Sequence, residues 1–153
     1  MSDPVPALRT AQRDGYTIST DPARLDVDAI HAYLTTSYWA PGISRATVAR
    51  SLRYSAGYGL YAPDGAQVGF TRVITDWTTY AYLCDVYVLE AHGRRGLGIW
   101  LIETVLATPE LRGIRRISLS TRDAHGLYEK FGFTRSEFGR FMDITIPDVY
   151  QQR

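Results

Sequence analysis

Apolar and polar positions along the chain change period several times, and each change predicts an element. Tyr16-Thr17-Ile18 is a short extended run that reads as a first strand. Asp26 precedes Ala29, Ile30, Tyr33 and Leu34 at helical spacing, and Ser44 precedes Val48 and Leu52, so each polar residue predicts a helix N-cap. Between them Ser37-Tyr38-Trp39-Ala40-Pro41-Gly42 is a loop, because proline and glycine interrupt both periods. From residue 57 the period becomes two: Tyr58 to Ala62, the turn Pro63-Asp64-Gly65, then Val68, Phe70 and Ile74 alternating with Gly69, Thr71 and Val73 predict a β-hairpin. Thr78 to Leu89 has no internal Gly or Pro and predicts a long central strand, with Asp85 on the face of Leu83 and Tyr87 and Cys84 on the other.

The second half alternates in type. Gly93 to Gly98 is a glycine loop opening a helix with Trp100, Leu101, Val105 and Leu106, stopped near Pro109. Ile114 to Ser120 predicts a strand, and Asp123 stands where it can cap a helix bearing Ala124, Leu127, Tyr128 and Phe131. Phe133 and the run Phe141 to Ile146 are expected to complete the sheet. The expected fold is α/β (α+β) in one domain over 15–148, preceded by a polar tail over 1–14.

Composition narrows the function classes. Seventeen basic against sixteen acidic residues, net +1, give no general attraction for nucleic acid or an anionic membrane, so neither is an expected partner. Cys84 is the only cysteine, which rules out an intrachain disulfide and suits a reducing compartment; with no secretory h-region and no apolar span, cytoplasm is the expected location. His31, His92 and His125 are too scattered for a metal-ligand spacing, and no metal is expected.

The glycine loop carries the first chemical signal. A strand followed by Gly93-Arg94-Arg95-Gly96-Leu97-Gly98 and a helix brings unpaired N–H groups, the positive helix end and two arginines to one place, which suits a pyrophosphate. A P-loop needs Gly-Lys-Ser/Thr and a Rossmann turn needs a later ribose-binding acid; neither is present.

Val86-Tyr87-Val88-Leu89-Glu90-Ala91-His92-Gly93-Arg94-Arg95-Gly96-Leu97-Gly98 resembles the strand, turn and Q/R-x-x-G-x-G/A loop of the GNAT N-acetyltransferase superfamily. Gly93 stands where that family usually has Gln or Arg, and Arg94 where many members have glycine. Thr121-Arg122-Asp123-Ala124-His125-Gly126-Leu127-Tyr128-Glu129-Lys130-Phe131-Gly132-Phe133 resembles the family's N-x-x-A-x-x-L-Y-E-K-x-G-F ending, with Thr121 in place of asparagine. The resemblance implies a mixed, mostly antiparallel sheet flanked by helices, and acetyl-CoA as acetyl donor. Its binding would fall to Val86, Tyr87 and Val88, to Gly93, Arg94, Arg95, Gly96, Leu97, Gly98 and Ile99, and to Thr121.

Tyr128 is implied as general acid toward the departing thiolate, and Asp85 is the candidate base, with two alternatives open: a carboxylate holding a neighbouring hydroxyl or arginine, or a water chain as base. Tyr38 and Trp39 are candidate acceptor contacts; Trp77 and Tyr80 could join such an aromatic wall, and core packing explains all four equally well. Cys84 reads as a core residue, so transfer is expected to be direct. The acceptor would be a small-molecule or peptide amine. Such domains are commonly homodimers, though no motif of this chain establishes one. The competing reading is a non-catalytic module that binds acyl-CoA.

Overall fold

The dipeptide Asp14-Gly15, with φ of +51° and +82°, turns the chain into a tight hairpin, because both residues take the left-handed conformation such turns need. It joins β1 (Thr10–Arg13) to β2 (Tyr16–Ser19), so the stretch expected as a tail holds a strand. The computed structural model describes residues 6–137 and 139–151.

Asp26 and Ser44 begin α1 (Val27–Leu34) and α2 (Arg45–Arg53) as predicted: Asp26 Oδ1 accepts from the Ala29 N–H at 3.0 Å and Ser44 Oγ from the Thr47 N–H at 3.1 Å. The strands β3 (Ala56–Tyr61), β4 (Gln67–Thr75) and β5 (Tyr80–Val88) follow. β5 begins at Tyr80 rather than Thr78 because the Asp76 carboxylate accepts from the N–H groups of Thr78, Thr79 and Tyr80 and folds that stretch into a turn. α3 (Leu97–Leu106), β6 (Arg116–Leu119) and the short α4 (His125–Glu129) complete the elements.

The sheet runs β1-β2-β3-β4-β5-β6, antiparallel throughout except for the parallel β5–β6 pair. Two cores cover its faces. Tyr58, Leu60, Val73 and Leu83 pack with Leu101, Ile102 and Val105 of α3, whereas Phe70 and Tyr87 pack with Ile30, Leu34 and Val48 of α1 and α2. Hence Leu83 and Tyr87 lie on opposite faces, contrary to simple alternation. The cause is a β-bulge: Phe70 pairs with Tyr87 and Arg72 with Cys84, so β5 holds one extra residue, and Asp85 takes it up with φ +56°. A second irregularity, between Leu60 and Tyr61, likewise sends Val68 and Phe70 to different cores. Gly69 lies where the strands come closest; a Cβ there would sit 2.9 Å from the Tyr87 carbonyl oxygen.

Phe141 to Ile146 does not join the sheet. No strand is formed there among the described residues, and Met142 and Ile144 are 94% and 101% exposed. Phe133 is also outside the sheet, its ring edge-on to Tyr128 at 5.9 Å.

Candidate active site

β5 pairs with β6 only over Tyr80–Leu83 against Arg116–Leu119; β6 then ends while β5 runs on to Val88. Beyond Leu83 the two strands diverge, and the edge of β5 from Cys84 to Val88 has no partner on that side among the described residues. A cavity of about 400 Å³ opens at the divergence. Six predicted site residues line it: Tyr38, Trp39, Asp85, Val86, Thr121 and Tyr128.

Tyr128 reaches the cavity from α4, and its ring is largely buried. Burial, with a smaller contribution from Tyr38, pushes its phenol above the ordinary tyrosine value, so it stays protonated at neutral pH. Its hydroxyl makes no side-chain hydrogen bond among the described residues, unlike that of Tyr58, which pairs with Thr108 Oγ1 at 2.8 Å. Thr121 Oγ1 accepts from the Ala124 N–H at 3.0 Å, so Thr121, and not Asp123, organises the start of α4.

Asp85 is engaged at both oxygens. Oδ2 accepts from Arg72 Nε at 2.5 Å and Oδ1 from Trp39 Nε1 at 2.9 Å. Burial is the largest single influence on the Arg72 guanidinium and lowers its pKa, but the Asp85 charge and hydrogen bond, with Cys84 and Tyr150, together outweigh it and raise it. The carboxylate thus holds an arginine, one of the arrangements the sequence leaves open. Arg72 has no signal of its own in the sequence, since only cross-strand register brings β4 against the bulge.

The aromatic side chains continue from Trp39. Tyr38 stands edge-on to it at 5.0 Å and carries the Arg122 guanidinium over its ring at 3.9 Å. Tyr33 lies 6.2 Å from Trp39 and stacks on Tyr87 at 3.9 Å with planes 7° apart. The Tyr87 ring thus belongs to the α1/α2 core, leaving only its backbone toward the open edge. Trp77 and Tyr80 do not line the cavity. Cys84 does, with burial raising its thiol to about 12, which keeps it uncharged and a poor nucleophile.

The glycine loop lies just past the free edge. No side chain caps α3, so its first N–H groups remain available. Gly96, at φ +72°, has no atom within 4 Å of where a Cβ would stand, which leaves the approach to those groups open. Arg94 also adopts the left-handed conformation, at φ +60°, which glycine takes most readily. The Gly93 N–H is taken by the Glu90 carbonyl at 3.0 Å; that residue closes the turn and offers no free donor. Arg95, Leu97, Gly98 and Ile99 accompany Gly96 at the helix start, outside the 400 Å³ cavity.

Residues 55–135 match the model of the acetyltransferase (GNAT) domain. The chain belongs to the GNAT acetyltransferase family. It is 35% identical over 140 residues to a candidate acetyltransferase of Gibberella zeae, covering 77% of this chain and 78% of that protein. The crystal structure of a candidate GNAT-family acetyltransferase from Xanthomonas campestris pv. campestris superposes with a TM-score of 0.85 at 44% identity, over 88% of this chain and 96% of that one. A GNAT acetyltransferase from Elizabethkingia anophelis, solved with acetyl-CoA bound, shares the fold with a TM-score of 0.63 at 17% identity, over 82% of this chain and 80% of that one. In this GNAT protein, His31 Nε2 meets the Ile43 carbonyl at 3.0 Å and His92 Nδ1 the Tyr16 hydroxyl at 2.9 Å, so both rings serve packing. No helix among the described residues is long and apolar enough to cross a membrane.

Proposed function

We propose that this protein transfers the acetyl group of acetyl-CoA directly to a primary amine, with Tyr128 as the general acid. The observation that carries the reading is the Tyr128 phenol: neutral, largely buried, without a side-chain partner among the described residues, and facing the cavity where β5 and β6 part. Acetyl-CoA would supply an acetyl group activated as a thioester. The open first turn of α3, with Arg94 and Arg95, fits its pyrophosphate, and the free β5 edge from Val86 to Val88 fits an extended amide-bearing arm that adds to the sheet like a strand.

Tyr128 holds a proton where a thiolate can take it, a contribution worth about 10²–10⁴ in rate for a positioned acid. Trp39, oriented by its bond to Asp85, and Tyr38 form the wall toward the amine. With both its oxygens engaged, Asp85 is assigned to holding Trp39 and Arg72, and proton removal from the incoming ammonium falls to water in the cavity.

Calorimetric titration with acetyl-CoA tests the reading when paired with turnover on a panel of amines. Wild type is expected to bind. Arg95→Glu should bind at least tenfold more weakly, whereas Tyr128→Phe should bind normally and turn over about 10²–10⁴-fold more slowly. No binding by wild type would refute the assignment of the donor. Binding without turnover of any amine, by wild type and variant alike, would leave a non-catalytic acyl-CoA module.

A further inference from the structure

The charged side chains around the cavity of about 400 Å³ are not equally engaged. Asp85, Arg122 and Asp123 are the charged residues that line it. Asp85 is committed within the wall: its two oxygens accept from Arg72 and Trp39, and its side chain is only 9% exposed. Arg72 balances its charge, so Asp85 offers an incoming ligand no free anion. Arg122 differs. Its guanidinium makes no side-chain hydrogen bond among the described residues. Its ion-pair contact, Asp123 Oδ2, stands 4.0 Å away with both side chains well exposed, an arrangement that neutralises little.

An exposed arginine ordinarily moves freely, but this one has a seat. Its guanidinium carbon lies 3.9 Å from the centre of the Tyr38 ring. Tyr38 stands edge-on to Trp39, Trp39 is bonded to Asp85, and Asp85 to Arg72, so a string of side chains runs from β4 to the cavity mouth and ends on a cation. The loop carrying Tyr38 and Trp39 is braced at its far end by Tyr150, which packs into the α1/α2 core with its carbonyl oxygen 3.0 Å from where a Cβ on Gly42 would stand. Stacking engages the flat face of the guanidinium and leaves its N–H donors, which lie in the plane, pointing past the ring edge. Such a fork matches two oxygens of one carboxylate or phosphate group. Tyr38 also stands near enough to Tyr128 to contribute to raising its phenol, so a single side chain relates the cation to the proposed acid.

We infer that the acceptor is a small primary amine carrying its own oxyanion, a carboxylate or a phosphate group, and that Arg122 receives this group at the cavity mouth while the amine points inward. The donor's pyrophosphate is provided for elsewhere, at the start of α3, outside this cavity. A second positive charge on the acceptor would be repelled by Arg122, whereas a negative one is held. This inference deepens the acetyl-transfer reading and rests on it for the fate of the amine; the anion site itself stands on Arg122, Tyr38 and their supports.

Matched amines test it: free amino acids against their amides, and phosphoethanolamine against ethanolamine. Each is measured in turnover with acetyl-CoA and in calorimetric titration with and without CoA. Wild type is expected to favour the anionic member of one set by about tenfold or more, in kcat/KM and in affinity, and the set that shows it identifies the oxyanion. Arg122→Gln should bring the two members near parity, Arg122→Lys should restore part of the preference, and acetyl-CoA should bind all three proteins equally. With the Arg122 side chain 65% exposed, neither substitution endangers folding. Tighter binding of the anionic member without turnover of any amine would remove the acetyl-transfer reading and keep the anion site. Parity in wild type, a preference for the member lacking the anion, or no binding by either anionic set overturns the inference. A preference that survives Arg122→Gln places the anion elsewhere, and weaker acetyl-CoA binding by that variant assigns Arg122 to the donor; both overturn it.

Discussion

Asp85 joins three elements through one carboxylate: the bulge in β5, Arg72 on β4 and Trp39 in the loop after α1. Asp85→Asn keeps an acceptor for Trp39 but leaves Arg72, only 18% exposed at its side chain, without a counter-charge. Breaking such a pair should cost about 3 kcal/mol, read as a lower urea midpoint. The loosened Trp39 should raise KM for the amine more than it slows turnover; turnover slowed by about a hundredfold or more at unchanged KM would instead mark Asp85 as the base. At this scale the sequence is informative where motif residues are contiguous. Tyr128 and Thr121 stand out because their neighbours form one recognisable run. Arg72 does not, since its partner is thirteen residues away and the bulge decides which face each occupies.

Elements are legible where the signal is local. Asp26 and Ser44 cap their helices as predicted, because an N-cap depends on three or four consecutive residues. The strand within the expected tail has its own local signal, the Asp14-Gly15 turn, but the four polar or small residues of β1 before it show no apolar alternation to accompany it. The β5 bulge has none: Leu83, Asp85 and Tyr87 alternate perfectly in sequence, and the extra residue is visible only against β4. Gly69 tests how tightly that register is held. Gly69→Ala places a Cβ against the Tyr87 carbonyl and the Leu60 side chain, and should cost about 1–3 kcal/mol in thermal or urea unfolding. It should also weaken acetyl-CoA binding, because relief of the clash moves the free edge of β5. An unchanged melting point would show that the two strands can separate there at no cost.

At the scale of the whole molecule, the tyrosines set the alkaline limit. Burial raises the phenols of Tyr58, Tyr61, Tyr82, Tyr87 and Tyr128, with Tyr61 at about 12. A group whose folded pKa lies above its unfolded value of about 10 contributes stability fully below that pH and loses it as pH rises through the folded value. Unfolding midpoints should thus hold level up to about pH 10 and fall steadily toward about pH 12, with tyrosinate absorbance appearing in step with unfolding. A mixed, mostly antiparallel sheet flanked by helices follows from the hydrophobic pattern and the family resemblance together, whereas the split into two cores depends on the two bulges, and Phe141–Ile146, announced as a strand, stays outside the sheet. The position of Tyr150 has a practical side too. Because the last described turn rests on Gly42, in the loop bearing Tyr38 and Trp39, a bulky tag joined directly after it would start beside the proposed amine site and compete with a bulky acceptor there. Purification handles belong at the other end, where β1 forms the far edge of the sheet.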